Sequence, residues 1–389
     1  MTTETMHKVI LYPVGNGDTS QIVLANKKRL LFDFCHREQG EDPKDPLIDL
    51  KKRLKEELKE AQRDYYDVVA LTHGDDDHIS KSTEFFELQH AAKYQGKDRI
   101  KIRELWVPAA MVLEPATQDQ KNDEVIIWRQ EARHRLREGK GIRVFSKPDK
   151  LKQWLEENGL SPESRKHLIT DAGELVPDFT LDSDGVEFFV HSPFVKHVDE
   201  GDILRNDASL IFQVRFVVEG TTTDYFAVGD ADYDVLEDIV SITKYHKRDD
   251  RLNWHLYNIP HHCSYGALAP EKGDRETVPT EKVKEILLHG QPDAYVVSSS
   301  RPISDDAEAY EQEQPPHIQA RKAYQRYLEK VGGRKLLVTM EEPNGFHPEP
   351  IEFEITGKGV RRAGKDRTGG LGVVAAMTPR AGFTTPRAG

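Results

Sequence analysis

Cysteine is scarce in this chain, with two residues among 389. Two cysteines cannot build a disulfide framework, so a reducing compartment is the expectation. Long hydrophobic runs are also missing, and none approaches the roughly 18 residues that a membrane helix needs. The opening Met-Thr-Thr-Glu-Thr-Met-His lacks the basic and apolar regions of a secretory signal. These absences predict a soluble, cytoplasmic protein with no membrane association. Basic charge is in deficit, since 55 Lys and Arg face 67 Asp and Glu for a net of −12. The deficit is uneven. Residues 357–389 hold seven basic residues, Lys358, Arg361 and Arg362 among them, and one acid, Asp366, which leaves −18 on the other 356. An acidic body weakens long-range attraction to polyanions and disfavours a long duplex-tracking groove. A local site holding metal ions would invert that field. What the chain does have is length and a 37% hydrophobic fraction, enough for a sizeable core and too much for disorder.

Short apolar-rich runs at 8–13, 20–25 and 29–34 read as strands, separated by the turn-like Gly15-Asn16-Gly17-Asp18 and Asn26-Lys27-Lys28. Apolar residues then recur at threes and fours through Leu47, Leu50, Leu54, Leu58 and Ala61, which predicts an amphipathic helix over 47–63. Strands follow at 66–72 and 102–107. Residues 111–185 are polar and mostly helical in pattern, with Val125, Trp128, Ala132 and Leu136 on one face, and read as an insertion or lid. Beyond them the pattern predicts strands at 186–191, 208–218, 223–228, 254–260, 294–299 and 335–340. Helices are predicted at 234–245, 280–289 and 318–331, with Thr280 as a cap and Gly290 as a stop. Interleaved helices and strands place the chain in the α/β or α+β class with layered packing. The last 33 residues are Gly-rich and repeat Thr-Pro-Arg-Ala-Gly at 378–382 and 385–389. They read as a flexible basic tail, on which a protein partner could dock.

The chemically richest stretch is Leu71-Thr72-His73-Gly74-Asp75-Asp76-Asp77-His78. An apolar strand runs into a loop offering imidazole and carboxylate at 73, 75, 77 and 78, a mixture suited to Zn²⁺ or Mn²⁺ rather than Ca²⁺. An EF-hand is excluded, because no glycine and bidentate glutamate follow at the required offsets. A solvated acidic loop with a helix cap is the competing reading. Three carboxylates between two histidines, directly after a buried strand, argue against it. Other strand ends supply further candidates: Asp33 after Leu30-Leu31-Phe32, Asp230 after Val228-Gly229, and the pair His261 and His262 after Pro260. Each alone reads as well as a turn residue or cap. Their repeated placement at strand ends is what marks a site. Gly15-Asn16-Gly17-Asp18 is not a phosphate loop, since a strand follows it rather than Gly-Lys-Ser/Thr. Its glycines make a tight turn from which Asn16 and Asp18 could reach the outer shell of a metal.

Taken as an ordered series, Gly-Asn-Gly-Asp (15–18), Leu-Leu-Phe-Asp (30–33), Thr-His-Gly-Asp-Asp-Asp-His (72–78), Asn-Asp-Ala-Ser-Leu (206–210), Val-Gly-Asp (228–230) and Pro-His-His-Cys-Ser (260–264) resemble the metallo-β-lactamase fold. The resemblance covers about residues 8–340, with 111–185 poorly matched. Within the fold, the series is most similar to the branch typified by the hydrolase domain of the competence-channel protein ComEC. It implies an α+β protein: a four-layer αββα sandwich over 1–356 with a helical insertion, followed by the tail. It also implies two divalent metal ions, Zn or Mn, held by His73, Asp75, Asp77, His78, Asp230, one of His261 and His262, and Asn206. Most of the superfamily reads His-x-His-x-Asp-His in the loop. Here Asp75 stands at the second histidine, as in the ComEC-like branch, and Asn206 stands where relatives place another histidine. Asparagine is a poorer ligand, so one ion is expected to bind weakly or to be Mn²⁺. Asp33 matches a strand-end aspartate that supports the ligand loop from behind. Cys263 replaces a glycine of the pattern and Cys35 lies near another small position. Both read as soft ligands, oxidisable thiols or buried apolar residues. His317 matches a histidine ahead of the last helix that meets substrate or leaving group, and a structural role there is equally open. The same choice holds for His191, while His246 and His255 read as structural.

Two metal ions at the strand ends would acidify a shared water and hold a developing oxyanion. Asp75 or Asp77 would orient the nucleophile, and His317 would donate to the leaving oxygen. The expected function is a metal-dependent hydrolase of a phosphodiester, either single-stranded nucleic acid or a nucleotide-like diester. The nucleases and phosphodiesterases of the resembling branch favour that substrate. An ester, lactone or amide hydrolase is the first alternative, and a non-catalytic partner-binding module the second. A purely structural scaffold has no need of His73, Asp77, His78, Asp230 and His261 together.

Overall fold

The computed structural model describes residues 5–114, 123–200, 203 and 205–364 of the chain. One sheet begins with β1 (His7–Leu11), β2 (Ser20–Val23), β3 (Arg29–Phe32), β4 (Tyr65–Ala70), β5 (Lys101–Pro108), β6 (Ile142–Phe145) and β7 (Ile169–Thr170). A second holds β8 (Val186–Ser192), β9 (Ile211–Val218), β10 (Thr221–Val228), β11 (Trp254–Ile259), β12 (Gly290–Ser298) and β13 (Lys335–Val338). The chain then returns to the first sheet through β14 (Ile351–Thr356) and β15 (Gly359–Arg362). The strand orders are β15-β14-β1-β2-β3-β4-β5-β6-β7 and β13-β12-β11-β10-β9-β8. Pairing is antiparallel from β15 to β3 and from β8 to β10, and parallel beyond β3 and beyond β10.

Local chemistry accounts for these elements. The β9–β10 hairpin turns on Glu219-Gly220, with φ of 51° and 82°. Two left-handed residues in a two-residue loop match the right-handed twist of the flanking strands. Parallel neighbours need long crossovers, and helices supply them: Leu50–Glu60 between β3 and β4, Tyr233–Tyr245 between β10 and β11, Glu281–Leu288 between β11 and β12, and Ile318–Lys330 between β12 and β13. Helix Leu50–Glu60 begins later than the predicted 47. The Asp49 carboxylate caps it by accepting from Lys52 N–H at 3.1 Å, while Asp45 and Leu47 form a separate turn at 2.9 Å. Leu50, Leu54 and Leu58 face inward as their four-residue spacing requires.

Three apolar clusters set the layering. Leu50, Leu54, Val125, Trp128 and Leu155 pack helices on the outer face of the first sheet. Val9, Leu30, Val68, Trp106, Phe188 and Phe212 fill the space between the sheets. Leu236, Ile239, Ile286 and Tyr324 cover the second sheet with Val228, Tyr257 and Val296. The resulting order, helices, sheet, sheet, helices, is the four-layer α+β αββα sandwich that the metallo-β-lactamase resemblance implies. No helix among the described residues is long and apolar enough to cross a membrane.

Three expectations are corrected. The helices of 111–185 are present, but Ile142–Phe145 and Ile169–Thr170 also add two strands to the first sheet. All four residues of β6 are buried, so the alternation that announces a strand is missing. The polarity of helix Asp123–Glu138 is also misleading, because Arg129, Glu131 and Arg135 are buried and Glu131 pairs with Arg135 at 2.7 Å. Gly290 opens β12 rather than stopping a helix. A Cβ there would lie 2.6 Å from the Trp254 ring, so close packing is what requires glycine. Finally, the basic segment does not begin as a tail. Gly359–Arg362 pairs with β14, with Arg361 on Glu354 at 2.8 Å and Arg362 on Glu342 at 2.9 Å. The rest of that segment, 365–389 with its repeat, lies outside the described residues.

Trp106 is the hub of the inter-sheet layer, with its ring edge-on to Phe32, Phe145, Phe179 and Phe188. Trp106→Ala should lower the unfolding free energy by about 3–5 kcal/mol, the usual loss for a buried tryptophan. Urea denaturation measures it, and a loss below about 1 kcal/mol would mean that the two sheets are not held together there.

Candidate metal centre

The chemistry-bearing residues lie where strands of both sheets end. After β4 the chain runs through Thr72 and His73 into a short helix, Asp76–Ile79, which carries Asp77 and His78. Asp33 follows β3 in a left-handed conformation, φ 55°, and its N–H donates to the Ala70 carbonyl at 2.8 Å. Its carboxylate accepts three hydrogen bonds at 2.7 Å, from Thr72 N–H, Thr72 Oγ1–H and His78 Nδ1–H. His73 Nδ1 lies 3.1 Å from the same Thr72 hydroxyl, which accepts from it while donating onward to Asp33. His262, after β11, donates Nδ1–H to the Ser299 carbonyl at 2.8 Å.

All three imidazoles thus have Nδ1 occupied by an oxygen acceptor, which turns Nε2 toward the cluster. This is the arrangement that orients a histidine as a metal ligand. The Nε2 atoms open onto shared carboxylates. His78 Nε2 is 3.3 Å from Asp230 and 3.8 Å from Asp18; His262 Nε2 is 3.0 Å from Asp77 and 3.7 Å from Asp230. Ligand-type atoms of Asp18, His78, Asp230 and His262 all lie within 4.8 Å of one another. His73 Nε2, His78 Nε2 and Asp230 Oδ1 are buried without a hydrogen-bond partner. Buried polar atoms are rarely left so. Orphaned imidazole nitrogens and a carboxylate oxygen facing one another are the donor set of a divalent cation, so the residues present fit a metal ion.

Charge in the cluster is set by burial against close opposite charge. Burial works against the His78 cation, but the Asp230 and Asp33 carboxylates outweigh it and hold its pKa well above the usual value. Burial likewise opposes the His262 cation, and Asp230, Asp77 and Asp18 raise its pKa to about 9. For Asp230, burial favours the neutral acid, yet His78 and His262 keep it well below the carboxylate range. Asp77 is also lowered, burial being overcome by the His262 hydrogen bond and the His78 charge. Asp18 moves the other way, to about 6, because its burial exceeds the pull of His262 and His78. Burial lowers His73, with the His78 charge adding to it.

Not every predicted residue joins the cluster. Asp75 is partly exposed, and Arg205 holds one of its oxygens at 2.6 Å, leaving the other 3.6 Å from His73 Nε2. His261 sits at the rim, 3.9 Å from Asp230 and 3.7 Å from Asp232. Asn206 occupies the turn ahead of β9, where its carbonyl accepts from Ser209 N–H at 3.1 Å, and its side chain has no hydrogen bond among the described residues. His317 is the clear departure. Its Nδ1 accepts from Tyr265 N–H at 3.3 Å and its Nε2–H donates to the Glu313 carbonyl at 3.2 Å. With both ring nitrogens tied to backbone, it fastens the last helix to the His262 loop and has no proton to offer a leaving group. Cys35 and Cys263 are buried, and burial pushes both thiols up to about 12, which fits apolar packing rather than ligation.

The sequence pattern places Asp18 no nearer than an outer shell. The glycine before it carries the missing information: a Cβ at Gly17 would lie 2.5 Å from Cys35 Sγ and 2.9 Å from the Asp77 carbonyl. Only glycine lets the turn press against the ligand loop, where Asp18 N–H donates to that carbonyl at 3.1 Å. Arg205 and Asp232 had no sequence signal.

No family model matches the chain, and no curated protein matches it. Among solved structures it is similar to one described as a new diphosphatase from the PhnP family. That similarity covers 91% of this chain and 100% of the other, at 10% sequence identity and a TM-score of 0.32. So distant a likeness carries no chemistry from one to the other.

Two measurements test the centre. Metal binding must displace the proton on Nε2 of His78 and His262, so titration calorimetry near pH 7.5 should show buffer-dependent heat from proton release. Heat independent of the buffer would remove both imidazoles from the ligand set. In metal-free protein, the His262 cation gives stability that is whole below pH 6.5 and fades as pH rises through about 9. The thermal midpoint should therefore fall across that window in wild type and stay flatter in His262→Gln.

Proposed function

We propose that the chain is a metal-dependent hydrolase of phosphodiesters, a stand-alone relative of the ComEC-like branch of the metallo-β-lactamase fold. The observation that carries this reading is the pair of imidazole Nε2 atoms, of His78 and His262, that face the carboxylates of Asp18, Asp77 and Asp230. Asp18, Asp77, His78, Asp230 and His262 would hold one divalent ion. His73 and Asp230 would hold a second, with Asp75 joining only by giving up Arg205. The second ion is accordingly the weaker, and the oxygen-rich donor set suits Mn²⁺ as well as Zn²⁺. Such ions supply Lewis acidity toward a phosphoryl oxygen and acidify water near neutral pH.

The chain's own groups do the rest. Asp33 and the Ser299 carbonyl fix the tautomers and ring orientations of His78 and His262. His261 replaces His317 as the proton donor to the leaving oxygen. It is half-buried at the rim, and although burial opposes its charge, Asp232 and Asp230 raise its pKa above the usual imidazole value. The excess of acid over base elsewhere favours short single-stranded or nucleotide-like diesters over long duplexes.

Hydrolysis of bis(p-nitrophenyl) phosphate and of end-labelled single-stranded DNA, with Mn²⁺ or Zn²⁺, tests the reading. Asp77→Asn and Asp230→Asn should each lower kcat/KM by about a hundredfold or more, the scale of removing one element of an electrostatic site. Metal binding with neither substrate cleaved would discard the phosphodiester and leave an ester or amide. No metal binding would discard the hydrolase. A general acid must be protonated to act, so rates should fall as pH rises through the His261 pKa, and His261→Gln should lose that alkaline limb.

A further inference from the structure

A cavity of about 560 Å³, a volume typical of small-ligand sites, is lined in part by the turn that leads into Asp18. Val14, Leu47, Pro302 and Met340 give it an apolar floor, and Arg37 and Arg301 stand at its walls. Three of its residues connect to the cluster through short covalent or hydrogen-bonded paths. Asn16 lies two residues before Asp18. Arg37 reaches Asp76, next to Asp77, at 3.0 Å. Arg301 lies two residues after Ser299, whose carbonyl holds His262. Asn16 ties these loops together: its Oδ1 accepts from Arg301 N–H at 2.9 Å, its Nδ2 donates to the Pro315 carbonyl at 2.7 Å, and its own carbonyl accepts from Arg37 at 3.4 Å.

The charge of this cavity is set against that of the body. Arg301 is exposed, and its guanidinium has no hydrogen bond or ion pair among the described residues. Arg37 is matched by one exposed acid, Asp76. Asp45 on the cavity wall accepts the Leu47 N–H at 2.9 Å and keeps its charge, so the lining sets two arginines against one aspartate. An apolar floor with two guanidinium forks above it suits an organic group bearing an anion, and the planar fork matches phosphate oxygens in pairs.

We propose that this cavity receives the portion of the substrate flanking the scissile phosphate, and that Arg37 and Arg301 select diesters carrying a second, terminal phosphate. The proposal rests on the phosphodiesterase reading above and narrows it from any diester to an end-phosphorylated one. Neither arginine touches the metal cluster. Both act on the far end of the substrate.

The test has two arms. In the first, kcat/KM is compared for the thymidine dinucleotide TpT and its 5′-phosphorylated form pTpT, in wild type and in Arg301→Gln. Wild type should prefer pTpT, and the preference should fall about tenfold in the variant, the scale of one lost charge-assisted hydrogen bond. In the second, thymidine 5′-monophosphate is titrated calorimetrically into protein treated with EDTA. Binding that weakens about tenfold in Arg301→Gln supports the subsite even where neither dinucleotide is cleaved, an outcome that would count against the phosphodiesterase reading alone. An unchanged preference, or monophosphate binding equal in both proteins, overturns the subsite and leaves the phosphodiesterase reading standing.

Discussion

The Asp33 carboxylate is the contact on which the site depends. It accepts two hydrogen bonds from Thr72 and one from His78, and so joins the end of β3 to the loop after β4. Through the Thr72 hydroxyl it also orients His73. One buried carboxylate therefore settles which nitrogen of two imidazoles faces the cluster. It does so from a left-handed backbone position that non-glycine residues seldom take. Aspartate tolerates that conformation better than most residues, which lets a single position serve the turn and the hydrogen bonds together.

The sandwich makes such a site available. Parallel strands all release their chain at the same edge, so β3 and β4 of one sheet and β10 and β11 of the other deliver Asp33, His73, Asp230 and His262 to one place. Tight contact between the edges is then needed to close it. A Cβ at Gly229 would approach Thr72 and Ser209 at 3.0 and 3.1 Å, so the β10 exit lies directly against the ligand loop. Strain is concentrated there too. His261, His262 and Cys263 are all left-handed, with φ of 49°, 51° and 68°. Such residues persist only where surrounding structure over-determines them. Here the Ser299 carbonyl holds the His262 ring, and the Cys263 carbonyl accepts from His317 N–H at 3.0 Å.

Much of this was legible in the sequence. Amphipathic spacing revealed helix Leu50–Glu60, and Asp or His placed after an apolar run marked His73, His78, Asp230 and His262 as neighbours before any strand was paired. What the sequence concealed has physical causes. β6 is buried on both faces, so period two is erased. Arg129 and Arg135 look like surface residues but are neutralised inside the fold. His317 has the composition of a catalytic group, and only its two backbone partners reveal a fastener. Asp18 was undervalued because a carboxylate in a turn usually faces solvent. Its role comes from Gly17, whose missing side chain lets two loops touch.

The pairing of β1 with β14 joins Val9 to Phe353 across nearly the whole chain, and Lys8 meets Glu352 at 2.5 Å over a separation of 344 residues. On the ribosome, β1 therefore waits for synthesis to pass residue 351 before one of its edges is covered. Until then a short apolar strand, with β2 on its other side, presents free backbone groups to whatever else is nearby. Contacts of such long range slow folding and lengthen the exposure of unpaired edges. Synthesis halted before residue 351 would leave a sheet lacking its closing strand even though every residue of the metal cluster had already been made.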